Sequence, residues 1–334
     1  MAGTGTAHLR PTSDALLRVE ELVVEFPAAR RLEVHAVSGI SLDLLPGETL
    51  GLVGESGCGK SSTGRAIMQL PPPTSGSVRF DGVELTTLSR EDLRRTRRRI
   101  QMIFQDPISS LNPRQRVRQI VAEGLEIWPD LAGGDVAGRL AEILDAVGLP
   151  RSAADRRPYE FSGGQCQRIC IARALVLDPT VLICDEPVSA LDVSVQAQIL
   201  NLLEEMKARY ALSMLFIAHD LAVVKNVSDR VIVMYLGKIC EVASPDDLYR
   251  RPAHPYTRML LESIPEPDPT QARASVTETG EPPSPLAPPS GCRFRTRCPS
   301  AVERCAVEEP MVRAVGSGHF VACHLPLHAV GGPS

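Results

Sequence analysis

From Leu17 to Phe26 apolar and polar residues nearly alternate (LRVEELVVEF), the period of a half-buried β-strand that a turn could interrupt. The alternation returns in VSGISLDLLPGE, Val37–Glu48, and stops at a Pro-Gly turn. The pattern then changes. TLGLVG is apolar, VGESGCGKSS (Val53–Ser62) is crowded with glycine, and STGRAIMQL (Ser62–Leu70) is helical, so strand, glycine loop and helix follow one another directly. GSVRFDGVEL (Gly76–Leu85) predicts a β-hairpin, and residues 115–158 predict helices with no strong strand. TVLICD (Thr180–Asp185) and SMLFIAHD (Ser213–Asp220) are short apolar runs between polar residues, suited to buried parallel strands. VIVMYLGKICEVAS (Val231–Ser244) predicts a late hairpin, and no internal repeat is present.

Beyond Pro265 the chain turns rich in Pro, Ser and Glu. Residues 266–290 are expected to form an extended linker or a surface-wrapping segment, and residues 291–330 a cysteine-rich tail. The length of 334 residues, 43% hydrophobic, suits one large domain with an appendage or two modest domains. The net charge of −4, mixed in sign, gives no reason to expect a nucleic-acid partner. The basic run Arg94–Arg99 has no interleaved aromatics and reads as a solvated helix face or a partner contact; Trp128 reads as a packing or partner residue. No apolar run approaches about 18 residues, and the start, MAGTGTAHLRPTSD, lacks the apolar region of a signal peptide. A cytoplasmic chain that meets a membrane only through partner subunits is expected.

The glycine loop fits G-x-x-x-x-G-K-[ST] from Gly54 to Ser61. Its glycines let backbone N–H groups turn inward toward phosphate, where side chains would obstruct, and the following helix presents its N-terminus to the anion. The nucleotide-binding candidates are Gly54, Glu55, Ser56, Gly57, Cys58, Gly59, Lys60, Ser61 and Ser62, with Lys60 on the β- and γ-phosphates and Ser61 on Mg²⁺. VLICDE adds Asp185 as a second Mg²⁺ ligand and Glu186 as the group that polarises the attacking water.

FSGGQCQRICIARAL (Phe161–Leu175) resembles the LSGGQ signature of the ATP-binding subunits of ABC transporters, matched by Ser162, Gly163, Gly164 and Gln165. Other stations of that family occur in order: Gln105 in IFQDP, SALD from Ser189 to Asp192, and His219 in IAHD. SSLNPR, HPYT (His254–Thr257) and CRFRTRCP make the resemblance one to the oligopeptide/dipeptide permease branch, to its F-type ATPase subunit. The resemblance implies an α/β P-loop NTPase core (RecA-like), with an antiparallel β subdomain, a helical signature subdomain near 106–160 and the small cysteine-rich extension. The ATP-binding domain would span 16–265. It implies two ATPases paired head to tail with ATP between them. Gln105 and His219 would sense Mg²⁺ and γ-phosphate, with Gln105 a further Mg²⁺ ligand. Ser162 and Gly164 would touch the partner's γ-phosphate, Asp192 would couple the sites, and Phe26 would stack on adenine. A sister ATPase, two membrane permeases and an extracytoplasmic binding protein are the implied partners, at the cytoplasmic face of the membrane. The alternative is a soluble ABC ATPase of the DNA-repair or ribosomal type.

The tail cysteines Cys292, Cys298, Cys305 and Cys323 are spaced C-x₅-C-x₆-C-x₁₇-C, unlike the C-x₂₋₄-C start of structural zinc sites. Four thiolates suit a [4Fe–4S] cluster, with Arg293, Arg295 and Arg297 offsetting its charge. Permeases of this branch with a similar tail carry such a cluster, so the resemblance implies one here. Zinc, with His319 or His324 replacing a cysteine, and four unligated thiols are the alternatives.

Overall fold

The computed structural model describes residues 5–28, 32–264 and 280–328, and these form two compact units. Residues 266–279 of the expected linker lie outside the described residues.

The first unit comprises the chain up to Leu45, Thr49–Thr87 and Ala218 onward. One of its sheets is antiparallel, in the order Glu33–Leu44, Leu17–Pro27, Ser75–Phe80, Val83–Glu84. Leu17, Val19, Leu22 and Val24 face its core; the jump from 19 to 22 is a shift of register around Glu21, whose φ is 49°. The interruption expected in LRVEELVVEF is therefore a bulge inside one strand, which restores the inward phase after the extra residue. Asp81 and Gly82, both at positive φ, close the Ser75–Glu84 hairpin as a two-residue turn.

The unit's second run of strands is Arg313–Gly316, His319–Val321, Lys238–Ala243, Arg230–Tyr235 and Thr49–Val53. The first four pair antiparallel, and Arg230–Tyr235 pairs parallel with Thr49–Val53. Thr49–Val53 is buried at every position, as its unbroken apolar run requires of a strand covered on both faces. The cysteine-rich tail adds strands to this sheet, through the pairing of Glu241 with Val321.

The second unit comprises Pro46–Glu48 and Leu88–Ile217. Its strands Ile100–Ile103, Val181–Asp185 and Ser213–Ala218 are parallel, in that order. The helices Val117–Ile127 and Val136–Ala146 occupy the stretch read as helical, and no strand lies between Ile103 and Val181 among the described residues. Arg94 and Arg98 lie over the Trp128 ring, 5.4 and 5.7 Å from its centre, and Arg98 pairs with Asp130 at 3.0 Å. The basic run thus packs on its own unit. No helix among the described residues is long and apolar enough to cross a membrane.

Candidate functional site

In the first unit the strand Thr49–Val53 delivers the glycine loop, and Lys60 opens the helix Lys60–Ile67. Gly59, at φ 103°, ends the loop; a Cβ there would collide with the Ala36 carbonyl oxygen. At Gly54 a Cβ would collide with the Met234 carbonyl oxygen. Only glycine suits either position, so the motif's glycines are dictated by close backbone approach. Ser56 and Gly57 are exposed at the crown, and Ser61 and Ser62 lie half-buried in the first helical turn, whose start carries no side-chain cap. That start offers an anion the positive end of the helix.

Lys60 is buried, and its Nζ donates to the carbonyls of Gly54 (2.8 Å) and Glu55 (3.0 Å), arching back across the loop. Burial raises the Cys58 thiol above its ordinary pKa, against the opposing charge of Lys60, so Cys58 is a neutral wall of the loop. The Glu55 N–H donates to the Tyr256 hydroxyl at 2.9 Å, and the Glu55 carboxylate accepts from Arg297 at 2.8 and 3.0 Å. Tyr256 belongs to the HPYT stretch, at the start of the helix Pro255–Glu262, and is fully buried. Tyr256 carries no role of its own in the sequence reading, and Arg297 carries only that of offsetting charge among the tail cysteines. HPYT was visible as a motif, but the partner of its tyrosine lies 201 positions away. Phe26 stands half-buried near the end of Leu17–Pro27, opposite Val34. His219 is exposed, directly after Ser213–Ala218, where Asp220 caps the helix Leu221–Val227.

In the second unit Asp185 ends the strand Val181–Asp185 and is fully buried. Glu186 follows at φ 48°, in the left-handed region that a non-glycine residue adopts only at a cost of about 1–3 kcal/mol. Its N–H donates to the Ile217 carbonyl at 2.9 Å, and its carboxylate accepts from the Gln105 amide at 2.9 Å. The strand end therefore brings together Asp185, Glu186 and Gln105. Ser162 caps the helix Gly163–Leu175: its hydroxyl accepts the Gln165 N–H, and the Gln165 side chain accepts the Ser162 N–H. At Gly164 a Cβ would crowd Val195. Asp192 stands at the N-cap of Val193–Tyr210.

The tail corrects one expectation. Cys292, Cys298, Cys305 and Cys323 line one small pocket with His254 and Phe294. Among the described residues, however, no group of three or more His, Cys, Asp or Glu side chains could hold a metal ion. Neither a [4Fe–4S] cluster nor zinc is supported. Burial instead favours protonated thiols, pushing Cys292 up to about 11 and Cys323 up to about 12. The arginines read as offsetting cluster charge have other partners. Arg293 donates to the Leu236 carbonyl, Arg295 to that of Ser290, and Arg297 to Glu55.

Residues 37–189 match the family model described as ABC transporter, and residues 240–305 the oligopeptide/dipeptide transporter C-terminal region. The oligopeptide transport ATP-binding protein OppF of Salmonella typhimurium is 52% identical over 293 residues, covering 87% of each chain. OppF of Haemophilus influenzae is 48% identical over 321 residues, covering 93% of this chain and 97% of its own. Among solved structures, cbiO1 from Clostridium perfringens, described as part of an ABC transporter complex, superposes with a TM-score of 0.62 at 30% identity. It covers 71% of this chain and 91% of its own. A glycine loop shaped by backbone approach, a carboxylate pair at a strand end and full-length relatives at about half identity lead to one conclusion: the chain belongs to the ABC transporter ATPases, in their oligopeptide/dipeptide branch.

Proposed function

We propose that this chain uses the residues of the glycine loop, the Asp185–Glu186 strand end and the signature helix to hydrolyse ATP and so energise a peptide importer. The single observation that carries the assignment of the base is the hydrogen bond from Gln105 to the Glu186 carboxylate, beside the buried Asp185. Lys60, Gly57, Gly59 and the first helical turn would cradle the phosphates with a cation and N–H groups. The Ser61 hydroxyl, the Gln105 amide oxygen and the Asp185 carboxylate would each offer Mg²⁺ the kind of hard oxygen donor it prefers. Mg²⁺, when bound, supplies charge stabilisation to the transferring phosphoryl group. Glu186 would take the proton of the attacking water, oriented by Gln105, and His219 would report on the γ-phosphate. Phe26 would stack on adenine.

Ser162, Gly163, Gly164 and Gln165 would meet the nucleotide of a second ATPase, with Asp192 linking the two sites. Nucleotide that bridges two subunits favours the closed pair, and hydrolysis releases it. In this reading the chain works with a sister ATPase and two membrane permeases, lies peripherally at the cytoplasmic face, and receives peptide passed on by an extracytoplasmic binding protein. The relatives named as oligopeptide transport proteins support peptide as the cargo class over a repair or ribosomal role.

Replacing Glu186 with Gln tests the base assignment. The amide is nearly isosteric and can still accept from Gln105, but it cannot take a proton. ATP binding should persist while hydrolysis falls on the order of 10²–10⁴-fold. Hydrolysis at the wild-type rate in the assembled complex would refute the assignment.

A further inference from the structure

The phosphate loop is held from outside by the cysteine-bearing tail. Each polar handle of Glu55, the second residue of the loop, is engaged within the first unit. Its N–H donates to the Tyr256 hydroxyl at 2.9 Å. Its carbonyl accepts from Lys60 Nζ at 3.0 Å and from the Cys58 N–H at 3.2 Å. Its carboxylate takes a two-pronged pair from Arg297, Nη1 to Oε2 at 2.8 Å and Nη2 to Oε1 at 3.0 Å. Paired N–H donors on one carboxylate fix an orientation as well as a distance.

This pair differs from an ordinary surface ion pair. The Arg297 side chain is only 8% exposed, and that of Glu55 26%. The guanidinium also donates to the Tyr235 hydroxyl at 3.4 Å and lies over the Tyr235 and Phe294 rings, 5.7 and 5.9 Å from their centres. Tyr235, Tyr256 and Phe294 pack against one another, with ring centres 4.7–5.3 Å apart. Burial works against the Arg297 charge, but the bonds to Glu55 and Tyr235 outweigh it and raise the pKa. The segment around Arg297 is itself fixed: the Arg293 guanidinium donates to the Leu236 carbonyl, and the Cys292 N–H to the Cys305 carbonyl at 2.8 Å. The Gly237 N–H also donates to the Cys58 carbonyl at 2.8 Å. The loop is thus tied both to the Leu236–Gly237 turn and to the tail.

We propose that Arg297 is a positioning residue for nucleotide: through Glu55 it sets the backbone of the Gly54–Lys60 loop, so that the cysteine-bearing tail governs the ATP affinity of its own chain. The inference rests on reading Gly54–Ser61 as the phosphate loop. The tail then has a purpose that needs no metal. It is a strut that preorganises the N–H groups facing the phosphates, and preorganisation appears as affinity.

The test is calorimetric titration of the full-length chain with MgADP, which is not consumed. Arg297→Met should weaken binding about tenfold, Glu55→Gln by a similar factor, and the double variant no more than either single change, because both remove one coupling. Arg297→Lys, which keeps the charge but loses the two-pronged geometry, should fall between wild type and Arg297→Met. A residue that merely stabilised the tail would lower the unfolding temperature and leave MgADP affinity unchanged. Lys60→Ala serves as the control. Unchanged affinity in Lys60→Ala would overturn the phosphate-loop reading and the inference with it. Loss of affinity in Lys60→Ala, with Arg297→Met and Arg297→Lys both binding as wild type, would overturn the positioning role alone. Additive losses in the double variant would also overturn it.

Discussion

Glu241 is the buried carboxylate on which the HPYT stretch and the tail are both hung. It is 0% exposed and accepts three hydrogen bonds: the Ala253 N–H at 2.7 Å, the His254 N–H at 2.9 Å and His319 Nε2 at 2.7 Å. Glu241→Ala removes the acceptor from all three. Hydrogen bonds to a charged group contribute about 1.5–3 kcal/mol each, and breaking a buried charged network costs about 3–5 kcal/mol in total, since such losses do not add. At about 2–4 °C per kcal/mol, the midpoint of thermal unfolding should fall by on the order of 10 °C. Glu241→Gln keeps one acceptor oxygen and should lose about half as much. Differential scanning calorimetry of the three proteins measures both shifts. ATP affinity should fall alongside stability, because Ala253 and His254 lead directly into Tyr256, whose hydroxyl accepts the Glu55 N–H. A Glu241→Ala midpoint within about 2 °C of wild type would refute the reasoning, because three stranded donors cannot be that cheap.

Lys60→Ala should weaken ATP binding by roughly 1.5–3 kcal/mol, the worth of one charge-assisted bond, measured by calorimetry on folded protein. Gly59→Ala should abolish nucleotide binding, since the added Cβ would meet the Ala36 carbonyl at a φ of 103°; wild-type affinity would refute the backbone argument. His254, buried with its Nδ1 accepting the Tyr256 N–H at 3.0 Å, is depressed by burial to about 4. The unfolded chain therefore takes up a proton between about pH 6.5 and 4 that the folded chain refuses, and stability should fall by about 2–3 kcal/mol as pH drops through that window. His254→Asn, which can still cap the helix but does not titrate, should show a shallower fall in denaturant melts across the same range.

The sequence displayed the site's local parts because their causes are local. Three glycines, Lys60 and Ser61 sit within one turn of chain, and the strand end at Asp185–Glu186 is announced by four preceding apolar residues. Long-range pairings were invisible. HFV, His319–Val321, is too short for periodicity to mark as a strand, and its place is set by Lys238–Ala243, some 80 positions earlier. Nothing local in KICEVA names the partners of Glu241: the strand is buried from Ile239 onward, and the carboxylate faces donors from two other segments, one of them 78 positions away. The arginines among the cysteines suggested a charged cluster, because spacing shows which residues are near in the chain but not what they face. Arg297 faces Glu55 of the glycine loop, 242 positions away.

The central claim is that ATP hydrolysis at this chain's site energises peptide import. The most direct measurement reconstitutes the chain with its sister ATPase and permeases in liposomes, with binding protein and a labelled oligopeptide outside and ATP on the ATPase side. The expected result is peptide accumulation that needs ATP and is lost in Glu186→Gln, although that variant still binds ATP. Undiminished ATP-dependent accumulation with Glu186→Gln in place of the wild-type chain would contradict the claim.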